Sequence, residues 1–545
     1  MKKIIATLVI FSVSCSAPWA KPATSVTVDF KQGYQIIDNF GASDAWTFDP
    51  MIKQWIAKGQ EQDIKHLADL LFSIDKGIGL SAWRFNIGAG SKEQGAASRI
   101  QLDNLGRDYR RAELMQAAPQ APINTNKQTG QIRFLHEATQ HGVTDLIAFS
   151  NSPPVWATKN GLAHPDSTVG STNLATDMTE KFATFLVDVV TYLRAKQHIP
   201  INYISPINEP TWRWQGNSQE GNRYNMLEVK AIYEALYQEL KHADLEKQIT
   251  IEAGEVVEYT ASLSDDFYQN FTKNQQLYTG GMNSEEGLGS YKNYIDELLG
   301  DTTMRSKIGN KISLHGYFSE ASSERMGKLR DLVWQNIQHT APGAKVWMSE
   351  LSILGAKDDL RHFDGVGWDT SDMNYALHVA KILHRDLSRL NASAWQWWLA
   401  VTPYDYKDGL IKVNADLEAD SIQTSKVLWT LGQYSRFIRP HYQRIELAGA
   451  DDLDGLMATA YKSPDDSELV IVAINASADE QPVDLAINNL PNNHTIQSFR
   501  VYQTNQQDDL KQLAGLRPTN KLILPPRSVI TLVGDLANTQ TINHN

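Results

Sequence analysis

Ile201-Asn202-Tyr203-Ile204-Ser205-Pro206-Ile207-Asn208-Glu209-Pro210 is the stretch from which the architecture of this 545-residue chain unfolds. Its first half, Ile201–Ser205, is a short β-rich run. Its second half leaves the run through proline and sets Asn208 and Glu209 at the strand's end. Amphipathic patterns flank it, Met178–Gln197 before and Met226–Leu245 after. A strand framed by helices belongs in a parallel sheet, because parallel neighbours need a long crossover between them.

The same unit recurs outward in both directions. Strands are expected at Ile36–Phe40, Ser81–Asn86, Thr144–Phe149, Ile201–Ser205, Gln248–Glu252, Lys311–His315, Lys345–Ser349 and Ala392–Trp397. Helices Glu324–Gln338 and Asp372–Leu390 fill later gaps. Eight such units predict an α/β fold, a (β/α)8 TIM barrel over residues 36–437. A doubly wound open sheet is the rival, but Gly41-Ala42-Ser43 after the first strand lacks its Gly-rich turn. Beyond Pro440 the texture changes. Leu469–Asn475, Pro482–Ile487, Ile496–Tyr502 and Ser528–Val533 are strand-like and separated by Asn, Asp, Pro and Gly. They predict a C-terminal β-sandwich side domain over 438–537, which the strand Ser25–Phe30 within 21–35 joins. The polar stretch 538–545 is expected to be a tail.

Composition bounds the function. A chain that is 42% hydrophobic and 21% charged folds as a globular protein, and a net charge of −12 argues against nucleic acid as a partner. Residues 1–20 have the layout of a signal peptide: basic Lys2-Lys3, apolar Ile4–Val13, then small residues. A secreted or periplasmic protein without a transmembrane segment is expected. The single cysteine, Cys15, lies in that leader; lipid anchoring through it is the alternative, against which Ser12 stands where the usual motif wants Leu.

In a barrel, chemistry collects where strands end. The predicted ends carry Asp44 and Trp46; Arg84 and Asn86; Asn151 to Trp156; Asn208 and Glu209, with Trp212 and Trp214 after them; Glu255; His315 and Tyr317; Glu350; and Trp395 to Trp398. Carboxylates, amides and indoles suit a sugar site, since aromatic faces stack on C–H surfaces and polar groups bind hydroxyls. Glu209 and Glu350, after the fourth and seventh strands, form the carboxylate pair that glycoside hydrolysis needs. Alternation puts Val346, Met348 and Glu350 on one face of the seventh strand, so Trp347 is expected to pack outward under helices. Alternation on the eighth pairs Trp398 with Gln396 and sends Trp395 and Trp397 to the core. Of the 14 Trp, this leaves Trp46, Trp156, Trp212, Trp214 and Trp398 as expected sugar contacts.

Taken in order, these motifs resemble glycoside hydrolase family 30: Asp38-Asn39-Phe40-Gly41-Ala42-Ser43, Ser152-Pro153-Pro154-Val155-Trp156, Ser205 to Pro210, His315-Gly316-Tyr317, Trp347-Met348-Ser349-Glu350, and Leu431 to Pro440. Trp212-Arg213-Trp214 and Gln219-Glu220-Gly221 are similar to its endo-β-1,6-galactanase-like branch. The resemblance implies Glu209 as acid/base, Glu350 as nucleophile and Asn208 on the sugar 2-hydroxyl. It implies Arg84 beside the nucleophile, with His315 and Tyr317 supporting it, and Asp44, Trp156 and Trp398 on the reacting sugar. The implied activity is a secreted retaining β-glycosidase acting on a neutral polysaccharide, most simply β-1,6-galactan, as a monomer and with neither metal nor organic cofactor. An exo-acting β-glucosidase or glucosylceramidase, a xylanase, and a glycan-binding protein without catalysis are the alternatives. A xylanase holding a uronate would want a cation on the last loop, where Lys407 and Lys412 stand but no Arg.

Two motifs mislead. His136 and His141 are five residues apart, about 140° around a helix, and cannot share a metal on one face. Gly77-Ile78-Gly79 precedes a strand, the wrong side for a dinucleotide loop.

Overall fold

The computed structural model describes residues 22–271, 289–354, 366–519 and 521–538. The expected leader, with Cys15 and Trp19, and all but the first residue of the expected tail lie outside the described residues.

The chain enters through β1 (Thr24–Ile36) and then builds a curled parallel sheet. Its strands are β2 (Asn39–Ser43), β3 (Ala82–Ile87), β4 (Asp145–Ser150), β5 (Tyr203–Ser205), β6 (Thr250–Ile251), β7 (Gly254–Val256), β8 (Lys311–His315), β9 (Lys345–Glu350) and β10 (Ala394–Thr402). They pair in the order β6-β5-β4-β3-β2-β10-β9-β8-β7. The two edge strands are thus successive pieces of one stretch, parted only by Glu252-Ala253. Glu252 N–H donates to Ile204 O at 2.8 Å on one side, and Ser313 N–H donates to Ala253 O at 2.8 Å on the other. The break between β6 and β7 turns on Gly254, at φ +113°, where a Cβ would sit 2.5 Å from Ser313 O. Two short strands, β11 (Gly409–Lys412) and β12 (Gln423–Thr424), extend β10 as a flap.

Helices between the strands begin where the sequence supplies caps. Asn225 and Glu228 form a reciprocal capping box at the start of Met226–His242, and Asp372 accepts from Asn374 N–H and Tyr375 N–H before Met373–Ser388. The inner faces of these helices pack on outward residues such as Trp83, Phe85, Leu146 and Met348 in one large apolar cluster.

The seventh predicted strand corrects the alternation argument. Trp347 faces the interior of the curled sheet, packed with Ala82, Ile147, Ala394 and Tyr203, while Val346 and Met348 face the helices. Its indole N–H donates to Asp38 Oδ2 at 2.8 Å, and Lys311 Nζ lies 3.0 Å from its ring centre. Glu350 still points inward because the β8–β9 register slips by one residue, from Leu314 opposite Met348 to His315 opposite Glu350. A bulge of this kind turns the next side chain to the other face. Alternation does hold on β10: Trp395 and Trp397 stack outside in the core, with ring centres 6.0 Å apart.

The remaining strands are β13 (Gln443–Ala448), β14 (Leu456–Lys462), β15 (Glu468–Asn475), β16 (Gln481–Asn488), β17 (His494–Thr504), β18 (Lys511–Leu516), β19 (Leu522–Leu524) and β20 (Ser528–Asn538). With β1 between β13 and β16 they pair along one nine-stranded path, a separate β domain that the first strand joins. It folds over its own apolar core of Val26, Val28, Ile445, Ile471, Phe499 and Leu532. On the other face Val529 and Val533 join the large cluster under helix Lys426–Ser435, which ties the two sheets together.

Behind β10 a buried carboxylate organises the packing. Asp386 accepts from Arg330 Nε at 2.8 Å, Tyr259 Oη at 2.8 Å and Trp395 Nε1 at 2.9 Å. Asp386→Ala would strand the buried Arg330 charge, a loss on the order of 3–5 kcal/mol. Calorimetry should show the melting transition lowered by several degrees; a wild-type melting temperature would contradict this role.

Candidate active site

At the C-terminal ends of the parallel strands lies a cavity of about 360 Å³. Glu209 and Glu350 stand in its floor with Asn208 and Tyr317, and Trp46, Trp212, Trp214 and Trp398 form its walls. A carboxylate oxygen of Glu209 lies within 4.8 Å of one of Glu350.

The Glu209 backbone adopts φ +45° and its N–H donates to Glu255 O at 2.9 Å. A non-glycine residue in this region is held there by its surroundings, a pattern concentrated at functional sites. Trp214 is fixed from the same turn, its indole N–H donating to Glu209 O at 3.1 Å. Gly221 makes room for that ring: a Cβ there would lie 2.3 Å from it. The motif Gln219-Glu220-Gly221 thereby gains a physical reading. Gln219 lines the cavity, Gly221 backs Trp214, and buried Glu220 accepts from Ala89 N–H, Ser91 N–H and Ser91 Oγ to anchor the second loop.

Behind the two carboxylates lies a charged network sealed from solvent. Arg84 Nη1 donates to Glu350 Oε2 at 2.6 Å and Nη2 to Glu255 Oε2 at 3.2 Å. Tyr317 Oη donates to Glu350 Oε1 at 2.9 Å. His315 bridges Glu209 through Nδ1 (3.1 Å) and Glu255 through Nε2 (2.9 Å), and its Nδ1 is 3.6 Å from Glu350. Burial alone would discharge the imidazole, but the carboxylates of Glu350, Glu209 and Glu255 push it up to about 10. Burial raises the Glu209 carboxyl above its ordinary range, and the His315 charge holds that rise back. For Glu255 burial also pushes upward, yet His315 and Arg84 win and keep it below the ordinary carboxyl value. Glu209, His315 and Glu350 offer one ligand atom each within 4.8 Å, the cluster among the described residues that a metal ion could use. Those atoms already serve the hydrogen bonds just described.

Most sequence-predicted residues meet here, in two layers. Trp46, Asn208, Trp212, Trp214, Tyr317 and Trp398 line the cavity with the carboxylates. Arg84 and His315 sit beneath, touching carboxylates and not the cavity. Asp44 lies off the lining and fully buried, accepting from Asn86 N–H and Gln131 Nε2 at 2.9 Å each, with its carboxyl pushed up to about 8 by burial. Trp156 is displaced from the expected sugar position. Its loop turns it toward helix Thr179–Lys196, where it donates to Gln116 O at 2.9 Å and packs edge-on against Phe185. Sequence reasoning missed Glu255 as the bridge between Arg84 and His315, although its place after the fifth strand was a signal. It also missed Arg110 and Asp408, which reach the cavity from loops without a motif. His136 and His141 bind Gln197 and Asp69 respectively and share nothing.

The network predicts a histidine that stays protonated in alkaline solution. In an NMR titration, the imidazole signals absent from His315→Asn should belong to a cation through pH 8 and titrate near 10; titration near 6.5 would refute the bridge.

The comparisons with known proteins agree with this geometry. Residues 23–412 match the profile of O-Glycosyl hydrolase family 30. A conserved exported protein from Bacteroides fragilis is similar over 93% of this chain and 100% of its own, at 28% identity and a TM-score of 0.77. A family 30 endoxylanase from Clostridium papyrosolvens shares the fold over 94% of this chain and 100% of its own, at 19% identity and a TM-score of 0.62. An endo-β-1,6-glucanase does so over 94% of each, at 17% identity and a TM-score of 0.61. With the family profile spanning the parallel strands and both floor carboxylates, this chain belongs to O-glycosyl hydrolase family 30 and is a glycosidase.

Proposed function

We propose that the protein is a secreted, monomeric, retaining endo-β-glycosidase of a neutral polysaccharide, with β-1,6-galactan as substrate, and that its curled sheet is a closed (β/α)8 barrel. The observation that carries the reading is the short spacing of the two floor carboxylates. Carboxylate oxygens within 4.8 Å of each other support the short carboxyl separation of double displacement, roughly 5–5.5 Å, over the roughly 6.5–9.5 Å of inversion.

Glu350 is the nucleophile. Arg84 and Tyr317 hold its two oxygens, so the carboxylate is aimed before substrate arrives. Glu209 is the acid/base: burial favours its protonated form, ready to donate to the leaving oxygen. Once Glu350 is esterified its charge disappears, the repulsion that keeps the Glu209 proton on is gone, and Glu209 can take a proton from the attacking water. Asn208, beside Glu209 in the cavity floor, binds the 2-hydroxyl of the reacting sugar in this reading. Trp212 and Trp214 extend an aromatic wall past Glu209, the feature that supports a galactan chain running through the cleft. Trp212, Leu354 and Val366 are exposed at its rim, which suits an open cleft and endo action. The uronate-binding xylanase alternative finds little support in the last loop, where Lys407 donates to Val366 O and Lys412 lies 3.2 Å from Asp405. Among the described residues no helix is long and apolar enough to cross a membrane.

Purified protein should release galactose oligomers from β-1,6-galactan; failure on galactan with activity on another β-glycan would overturn the substrate. A 2-fluoro-glycoside should leave an intact-mass adduct at Glu350 that Glu350→Gln lacks. Tight glycan binding with no adduct would instead mark a binding protein. Glu209→Gln should lower kcat/KM by about 10²–10⁴-fold and lose the alkaline limb of the pH profile, which reports the acid; a retained limb would exclude Glu209 from that role.

A further inference from the structure

Five buried polar atoms that lack any protein partner belong to residues lining the cavity: Trp46 Nε1, Asn208 Oδ1, Ser352 Oγ, Arg110 Nε and Asp408 Oδ1. A buried polar atom without a partner is costly, so a set of them around one space marks where a ligand's hydrogen bonds are received. The first three lie near the two floor carboxylates or on the aromatic walls already described. Arg110 and Asp408 do not. They come from separate loops, one after β3 and one after β10, and neither belongs to a sequence motif.

Their setting fixes them without neutralising them. The Arg110 guanidinium lies between two rings, 4.9 Å from Trp46 and 5.1 Å from Tyr404, and makes no ion pair among the described residues. Tyr404 is anchored in turn by its hydroxyl, which donates to Asp103 Oδ2 at 2.9 Å. Asp408 is 7% exposed; its backbone O accepts from Trp397 Nε1 at 2.9 Å, and Thr402 holds the carboxyl while Oδ1 stays unpartnered. A donor and an acceptor thus face one cavity, near enough for the Arg110 charge to lower the Asp408 carboxyl but not within ion-pair distance of each other.

We propose that Arg110 and Asp408 form a clamp for adjacent hydroxyls of a neutral pyranose, Arg110 donating to one oxygen and Asp408 accepting from the neighbouring hydroxyl. This is a specificity subsite beyond the pair that performs the chemistry, and it rests on the glycosidase reading of the cavity. A hydroxyl can donate to the unpartnered Asp408 Oδ1, whereas a carboxylate or sulfate oxygen only accepts and would leave it unsatisfied, which argues for a neutral sugar over a charged one. Burial, which pushes the Asp408 carboxyl up to about 7, does not alter the match, since a neutral carboxyl can also bind a hydroxyl.

The test is a deoxy scan. Initial rates are measured on 4-nitrophenyl β-galactoside and its monodeoxy analogues, with the gluco series and the β-glucuronide alongside. Arg110→Met and Asp408→Asn should each cut kcat/KM on the parent by about 10- to 100-fold, as loss of a hydrogen bond to a charged group does. On the analogue lacking the hydroxyl that the residue binds, each variant should lose less than about threefold further. Uniform losses on every analogue would mean that the residues only support the fold and would overturn the clamp. A preference for the glucuronide, enhanced by Asp408→Asn, would overturn it in favour of an anion site. Activity confined to the gluco series would reject galactan while leaving the clamp tested there.

Discussion

The ion pair between Arg84 and Glu350 is the constraint on which the rest of the site depends. Four carboxylates, Glu209, Glu252, Glu255 and Glu350, are sunk in one interior, each less than a tenth exposed. Without cations such a cluster could not stay ionised, because desolvation of each charge costs several kcal/mol. Arg84 spans Glu350 and Glu255, and His315 spans Glu255 and Glu209, so the charges alternate through the floor of the cavity. Glu252 lies one step further in, where burial and the charge of Glu255 push it up to about 7. The outcome is a gradient: Glu255, which touches both Arg84 and His315, is held below the ordinary carboxyl range, while Glu209, reached only through His315, is raised above it by burial. In the proposed mechanism Glu350 and Glu209, identical side chains with different partners, take opposite tasks.

The fold supplies what the charges need. Inward residues at successive strand ends, Arg84 on β3, His315 on β8 and Glu350 on β9, converge because a curled parallel sheet points alternate side chains at one axis. The exceptions to alternation are where function concentrates. The slipped register before Glu350 and the left-handed turns at Glu209 and Glu255 each place a carboxylate that a regular strand would have turned away. Conformations of this kind persist only when the surroundings determine them, here the Glu209 N–H bond to Glu255 O, the Trp214 indole on Glu209 O, His315 on Glu255, and Arg84 and Tyr317 on Glu350.

Much of this was legible in the sequence. Lys311–His315 was placed to the residue, and the other parallel strands to within a few residues, because hydrophobic runs between amphipathic helices have one natural arrangement. Glu209 and Glu350 were legible because a carboxylate at a strand end has a defined place in such a sheet. What was not legible depended on geometry that no periodicity carries. The bulge before Glu350 reversed the side assigned to Trp347, and the turn after β4 took Trp156 to a helix. Arg110 and Asp408 stand in loops whose paths are set by tertiary contacts. The pairing of these later strands through β1 was not legible either, since a continuous curl and a stacked pair give strands of the same pattern.

In the proposed mechanism cleavage proceeds through an ester at Glu350, whose formation and hydrolysis each invert the anomeric carbon. The most direct test is proton NMR of the first product released from a β-linked substrate, recorded before mutarotation. The β-anomer should appear first, with the α-anomer growing in later at the spontaneous rate. An α-anomer appearing first would mean a single displacement by water, and would contradict the roles given to Glu350 and Glu209.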